Sequence, residues 1–413
     1  MSDRPRPVAA DERIIHLDVL RGLAILGILL VNAPAFGMPM QVIDRPTLSP
    51  LPFEAADQTA WWVMTTFFHG KFVTLFSMLF GVSLFLVGGE RRTDPERDHV
   101  LRRRLLWLIL FGVLHGALIW FGDILTLYGL MGLIMLLCRS WRVRRLLVVG
   151  GLLFLLSTLL LVGGQIGMQL APPEVQAEQA RQFGSAAEVR ERISDYQSGL
   201  AGSHLANLKT WSFLVIGQLI AFGPMTLGLM MWGLALFKLG VLQGRAPTRT
   251  YVLMAAAGAA ALAVIGWNAQ DQIVDAFPSA TFGFDALPNF TLAAVVTLGY
   301  IGTVNLALRG RLLRPVFLAL APVGRMAFTN YIAQSLIMTT IFYAGRGLGL
   351  YGRLDWAQWS AIVAAVWLLQ LIWSPLWLSR FTMGPLEWVW RRLSYGRPLA
   401  LRRSAPERSV VPA

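Results

Sequence analysis

His115 is the best general base that the sequence offers. An imidazole takes and returns a proton near neutral pH, provided a neighbour fixes its tautomer. Asp123 follows two helical turns later, across Gly122, and Tyr128 comes one turn beyond it. A carboxylate beyond a helix break can orient the ring and raise its basicity. Lys71 and Asn32 supply an ammonium and a carboxamide, the groups that stabilise a developing oxyanion. Asp18 and Arg21 lie i,i+3, and the planar fork of Arg21 suits a phosphate. A further segment holds Arg325, Thr329, Asn330, Tyr331 and Gln334, of which Arg325, Thr329 and, less exactly, Asn330 and Gln334 share a helical stripe. Arg325, Asn330, Tyr331 and Gln334, with Tyr128, are read as substrate-binding groups or as interhelical hydrogen bonding. One cysteine, Cys138, excludes an intrachain disulfide and a thiolate zinc site. No CxxC, HExxH, P-loop or EF-hand pattern occurs, and Asp271, Asp275 and Asp285 are irregularly spaced for calcium, so no metal is expected.

The elements that must hold these groups are membrane spans. The 413 residues are 55% hydrophobic and 14% charged, with mean hydropathy +0.57. A soluble domain carries about 25% charge, so a water-soluble enzyme and a disordered chain are both excluded. Apolar stretches of membrane length fall at about 19–36, 60–87, 105–121, 124–138, 146–167, 211–237, 251–268, 290–308, 316–343 and 358–378. The predicted fold is therefore an all-α polytopic bundle of about ten transmembrane helices, with Gly122-Asp123 as a tight hairpin between the third and fourth. Helical rise places Asn32 roughly 16 Å above Arg21, Lys71 roughly 16 Å down the second span and His115 roughly 15 Å into the third. The three then meet near the midplane, where ionisable groups face a cavity or one another.

The charge distribution orients the bundle. The net charge is +13 and nearly all of it is arginine, since Lys71, Lys209 and Lys238 are the only lysines. Alternate gaps between spans, beginning with Arg4, Arg6, Arg13 and Arg21 and then Arg91 to Arg104, hold most basic residues. The opposite gaps hold only Arg45, Arg181, Arg190, Arg192, Lys209, Arg346 and Arg353. By the positive-inside rule both termini are cytoplasmic. The same rule accounts for the basic pI of 10.7 without nucleic acid. Leu23–Val31 followed by Ala33-Pro34-Ala35 also resembles a signal peptide with its cleavage site, although Asp18 and Arg21 stand where such a segment turns apolar. Residues 1–413 read as one transmembrane domain, with an extracytoplasmic cap at 168–210, solvated or acting as a lid, and a polar cytoplasmic tail at 397–413.

Five sequence blocks carry a resemblance. They are HLDVLRGLAILGILLVNAPAFG (His16–Gly37), GKFVTLFSMLFG (Gly70–Gly81), GVLHGALIWFGDILTLYGLMG (Gly112–Gly132), GRMAFTNYIAQS (Gly324–Ser335) and FTMGPLEWVWRRLSYG (Phe381–Gly396). In this order they resemble the bacterial YeiB-like family, also called domain of unknown function 418. That family is grouped with the transmembrane acyltransferase superfamily, and the resemblance implies about ten helices and acyl transfer from a cytoplasmic thioester to an acceptor on the far side. The superfamily's O-acyltransferase branch has an arginine, ten intervening residues and then a catalytic histidine. Here the pair is Arg21 and Asn32, so that histidine is absent. The branch similar to heparan-α-glucosaminide N-acetyltransferase also has asparagine there, and His115 is the natural substitute.

Three functions are compatible with these residues. In a transmembrane acyltransferase, His115 deprotonates a hydroxyl or amine acceptor, Asp123 orients it, Lys71 and Asn32 hold the oxyanion, and Arg21 with Asp18 binds acyl-CoA or a similar thioester donor. In a transporter or flippase for a small amphiphile, the same groups form a substrate or proton site. The third is a non-catalytic membrane partner. The partners expected are membrane lipids and a small-molecule or lipid/glycan acceptor, with no nucleic acid; homo-oligomers are compatible.

Overall fold

The computed structural model describes residues 14–90, 95–183, 185–277, 286–310 and 313–403. Arg4, Arg6, Arg13, Arg91, Arg92, Asp285, Arg311, the side chain of Arg181 and the tail beyond 403 lie outside the described residues.

Among the described residues every regular element is helical, apart from one isolated bridge between Phe381 and Arg402. The chain opens with α1 (Ile15–Gly37) and a single turn, α2 (Gln41–Asp44), then α3 (Ala55–Val63) and, past a break, α4 (Lys71–Gly88). Next come α5 (Pro95–Leu118), α6 (Leu125–Cys138), α7 (Val143–Gln169), α8 (Pro173–Phe183), α9 (Ala186–Gln197) and α10 (Leu200–Lys238). The remainder is α11 (Thr248–Val274), α12 (Leu287–Arg309), α13 (Arg314–Leu318), α14 (Leu320–Arg325), α15 (Ala327–Phe342), α16 (Trp356–Arg380) and α17 (Pro385–Tyr395).

Among the described residues, seven helical stretches are long and apolar enough to cross a membrane: α1, α3 with α4, α7, α10, α11, α12 and α16. The bent pair 314–325 and 327–342 makes an eighth if taken as one span. The chain is thus a multi-pass membrane protein. Two further predicted stretches are helical but differ in kind, because α5 begins in charge at Glu96 and Asp98 and α6 has 14 residues.

Packing follows from which helices are apolar on every side. α1 is the most buried of the long spans, and it packs against α4, α14, α15 and α16. Gly22 and Gly324 let the α1 and α14 backbones touch, and a Cβ on either would strike the other's carbonyl oxygen (Leu320 or Asp18). α7 is the least buried span and lies against α10, while α11 pairs with α12 where Gly258 meets Gly299. Their outward aliphatic side chains, such as Leu152, Leu159, Leu253 and Val264, are exposed, as a lipid-facing surface requires.

Two spans expected to be continuous are broken. The stretch 60–87 passes from α3 into a π turn at Met64–Phe68, then into Gly70 at φ +81°, before α4 begins. The stretch 316–343 bends by 81° between Arg325 and Ala327. This second break corrects the predicted stripe, because Arg325 ends α14 and is off the α15 helix that carries Thr329, Asn330 and Gln334. The cap is made of α8, α9 and the first turns of α10, with Val189, Ile193 and Tyr196 of α9 buried.

Candidate functional site

His115 lies near the end of α5, and Asp123 sits just before α6 in the hairpin. The helix stops at Leu118, and the chain turns back through Gly122. The end of α5 is closed by two elements: Arg346, in the loop after α15, donates to the carbonyls of Leu118 and Ile119, and Asn207 of α10 donates to those of Gly116 and Ala117. This anchoring fixes the hairpin against two other elements.

Asp123 accepts the backbone N–H of Leu125 at 3.0 Å and of Thr126 at 2.9 Å, so it caps the start of α6. Its Oδ1 also meets His115 Nδ1 at 3.1 Å. With the carboxylate on Nδ1, the neutral ring carries its proton there and turns its lone pair out through Nε2. Nε2 meets Ser335 Oγ at 2.9 Å. All three side chains are buried, with exposures of 1%, 2% and 1% for His115, Asp123 and Ser335. Ser335 escaped the sequence reading because α15 brings it to His115 from a distant segment. Its only signal was its place at the end of the Gly324–Ser335 block.

Beside this chain of groups is a cavity of about 250 Å³ between α1, α4, α5, α6, α14, α15 and α17. One end is basic, lined by Arg21, Arg104, Arg325 and Arg391 against Asp18 and Glu387. The remainder is lined largely by apolar groups such as Ile25, Ile28, Phe76 and Phe80, with Tyr128 and Tyr331 also on the wall. His115, Asp123 and Ser335 do not line the cavity; Tyr331 does, with its ring centre 5.1 Å from that of His115 and its hydroxyl 3.3 Å from the Gly122 carbonyl. Tyr128 is held by Ser77 at 2.9 Å. Arg21 donates to Asp18 at 3.1 Å and to Ser83 of α4 at 2.9 Å, which fixes its fork in the wall.

Glu387 is a second residue that the sequence reading passed over. The bend leaves the first N–H groups of α15 without helical acceptors. Glu387 accepts those of Phe328 at 2.8 Å and Thr329 at 3.1 Å, together with the Thr329 hydroxyl at 2.5 Å. In return, Thr329 accepts the backbone N–H of Leu386, so each helix caps the other. Burial pushes the Glu387 carboxyl above its ordinary range, while the bonds from Thr329 and Phe328 pull it back. Helix α17 is amphipathic and lies outside the spans; its Trp390 donates to the Arg104 carbonyl and lies under the Arg104 guanidinium.

The other expected residues lie elsewhere. Lys71 is fully buried but is not brought to His115: its Nζ donates to the Thr65 carbonyl at 2.8 Å and to the Asn289 carboxamide. Asn32 is half-buried on α1, with no side-chain hydrogen bond among the described residues. Asn330 bonds to Val323, Ser374 and Trp373, and Gln334 bonds to Gln370 and the Ile25 carbonyl, tying α15 to α16 and α1. Neither lines the cavity. No cluster that could hold a metal occurs among the described residues.

Residues 236–397 match the family model described as a protein of unknown function (DUF418). The uncharacterized protein YeiB of Escherichia coli (strain K12) is 35% identical over 93% of this chain and 96% of its own. The uncharacterized protein YxaH of Bacillus subtilis (strain 168) is 32% identical over 94% and 96%. No solved structure matches.

Proposed function

The chain belongs to the DUF418 family, and from that premise we propose that it is a transmembrane acyltransferase, moving an acyl group from a cytoplasmic thioester to an acceptor at the outer side. One observation carries this reading: the His115–Asp123 pair stands behind Tyr331, beside a cavity whose far end is ringed by arginines. Guanidinium groups suit the phosphates of a donor such as acyl-CoA, and the apolar stretch suits its acyl chain. The cavity is smaller than the roughly 300–1,000 Å³ of drug-sized sites, so it holds an acyl arm and leaves the nucleotide at the mouth. His115 is the base and Asp123 its orienter. Lys71, spent on Thr65 and Asn289, has no part in the step.

The bundle has ten spans in a bacterial inner membrane, with both termini cytoplasmic, which puts the basic mouth on the side where a thioester is available. Reporter fusions after Arg145 and Arg245 then read cytoplasmic, and fusions near Glu188 and Asp275 read external. An inside signal at Glu188 overturns the orientation.

The chemistry is tested by titrating coenzyme A into the purified protein. No binding at millimolar concentration removes the thioester reading. A transporter for an anionic amphiphile is the second reading, favoured by the break at Met326, since discontinuous helices are how transporters build sites in mid-membrane.

A further inference from the structure

Ser335 occupies the place that an acceptor hydroxyl would take at a general base. Its Oγ lies 2.9 Å from His115 Nε2, and the opposite face of that imidazole is held at 3.1 Å by Asp123. Since Asp123 holds the Nδ1 proton, the Ser335 O–H is the donor to Nε2. The hydroxyl is also 3.4 Å from the carbonyl of Tyr331, one turn back, so the shorter contact is the one to the imidazole. A serine that only satisfied its own helix would need no histidine. A histidine that only filled a core would need no capping carboxylate on one nitrogen and a hydroxyl on the other. Nucleophile, base and orienter stand in a row within hydrogen-bond reach, the arrangement that activates a serine whatever the fold or chain order.

We infer that Ser335 is a nucleophile that carries the acyl group as an ester between donor and acceptor. This rests on the acyl-transfer reading for its substrate, though not for its reactivity. His115 Nε2 takes the Ser335 proton as Oγ attacks the thioester carbonyl. The C–S bond breaks, and the leaving thiolate takes the proton back from the imidazolium. An acceptor hydroxyl or amine then gives its proton to His115 and attacks the ester, and Ser335 leaves with that proton restored. An N–H donor is close by: Trp120 Nε1 is buried without a hydrogen-bond partner among the described residues, its ring centre 6.3 Å from that of His115. For the thioester to reach Ser335, Tyr331 must leave the Gly122 carbonyl and swing out of the way.

The test uses the full chain purified in detergent and an alkyl fluorophosphonate, from which an activated serine displaces fluoride. Wild type should be phosphonylated once, at Ser335 by peptide mass spectrometry. Ser335→Ala should take no label, and His115→Ala should label at least about 100-fold more slowly. Ser335→Cys guards against a folding defect. It should transfer reactivity from the fluorophosphonate to iodoacetamide at the same peptide, told apart from the native Cys138 by its sequence position. An unlabelled wild type, or equal labelling of wild type and Ser335→Ala, overturns the relay. Coenzyme A binding is read separately. Binding without Ser335 labelling leaves the acyltransferase reading standing and removes the relay. Labelling without binding keeps the nucleophile and removes the thioester.

Discussion

The two broken spans are mended by side chains of opposite hydrogen-bonding sense. Between α3 and α4 the break strands a carbonyl, that of Thr65, and the groups that reach it are donors: the Lys71 ammonium and the Asn289 amide. Between α14 and α15 the break strands N–H groups, and the group that reaches them is an acceptor, the Glu387 carboxylate. Each sign follows from which end of a helix is left open. The surroundings then separate them. Lys71 is wrapped by packed backbone, its own carbonyl taken by Thr297. Glu387 and Arg325 face the cavity, and two turns further along α15 stands Ser335. A buried ion in a membrane is therefore not by itself a mark of chemistry; one beside an open space and a second titratable group is.

The strongest way to break this comparison is to exchange the roles. His115→Ala should lower thiol release from acyl-CoA by about 10³-fold, while thermal unfolding in detergent moves little, because Arg346 and Asn207 still hold the end of α5. A fully active variant would end the assignment of chemistry to this region. Lys71→Met should do the reverse. It leaves the Asn289 oxygen unpaired at a cost of about 1–3 kcal/mol, lowering the unfolding temperature while turnover per folded molecule stays within about threefold. A large loss of turnover with unchanged stability would return Lys71 to the site.

Much of this division was hidden in the sequence for a physical reason. Hydropathy reads length and apolarity, so it found α1, α7, α10, α11, α12 and α16 but ran through both breaks. Neither break carries proline at the bend; they are a π turn before Gly70 and a 30° ψ at Met326. His115 and Asp123 were legible together because they are close in sequence with a glycine between them. Helical rise gives Lys71 a depth, but depth does not say which way a side chain faces, and Lys71 faces α12. Ser335 and Glu387 reach their partners only through the packing of α15 on α5 and of α17 on α15. No spacing in the chain announces either.

A smaller effect sharpens the cavity side of the comparison. Arg21 holds Asp18 and Ser83 through separate nitrogens, which sets its fork in the wall. Arg21→Lys keeps the charge and loses the bidentate geometry. Coenzyme A binding should weaken about tenfold, on the order of 1.4 kcal/mol, by calorimetry of wild type beside mutant. Equal affinity would remove Arg21 from the donor site and leave Arg104, Arg325 and Arg391 to hold it.

The smallest effect concerns the carboxyl group that mends the second break. Burial raises the Glu387 carboxyl above its unfolded value. The folded protein therefore binds this proton more tightly than the unfolded chain. Its contribution to stability is complete below the ordinary carboxylate range and is lost as the pH rises through the raised value. Glu387→Gln keeps an oxygen for the N–H groups of Phe328 and Thr329 and removes the titration. The variant should unfold within a few degrees of wild type, consistent with about 1 kcal/mol. The gap between the two curves should shift in the variant's favour as the pH is raised from about 4 to 7. A gap that moved the other way would mean that the α15 N-terminus holds the ionised carboxylate more strongly than burial opposes it, and the two breaks would then be alike in being true ion sites.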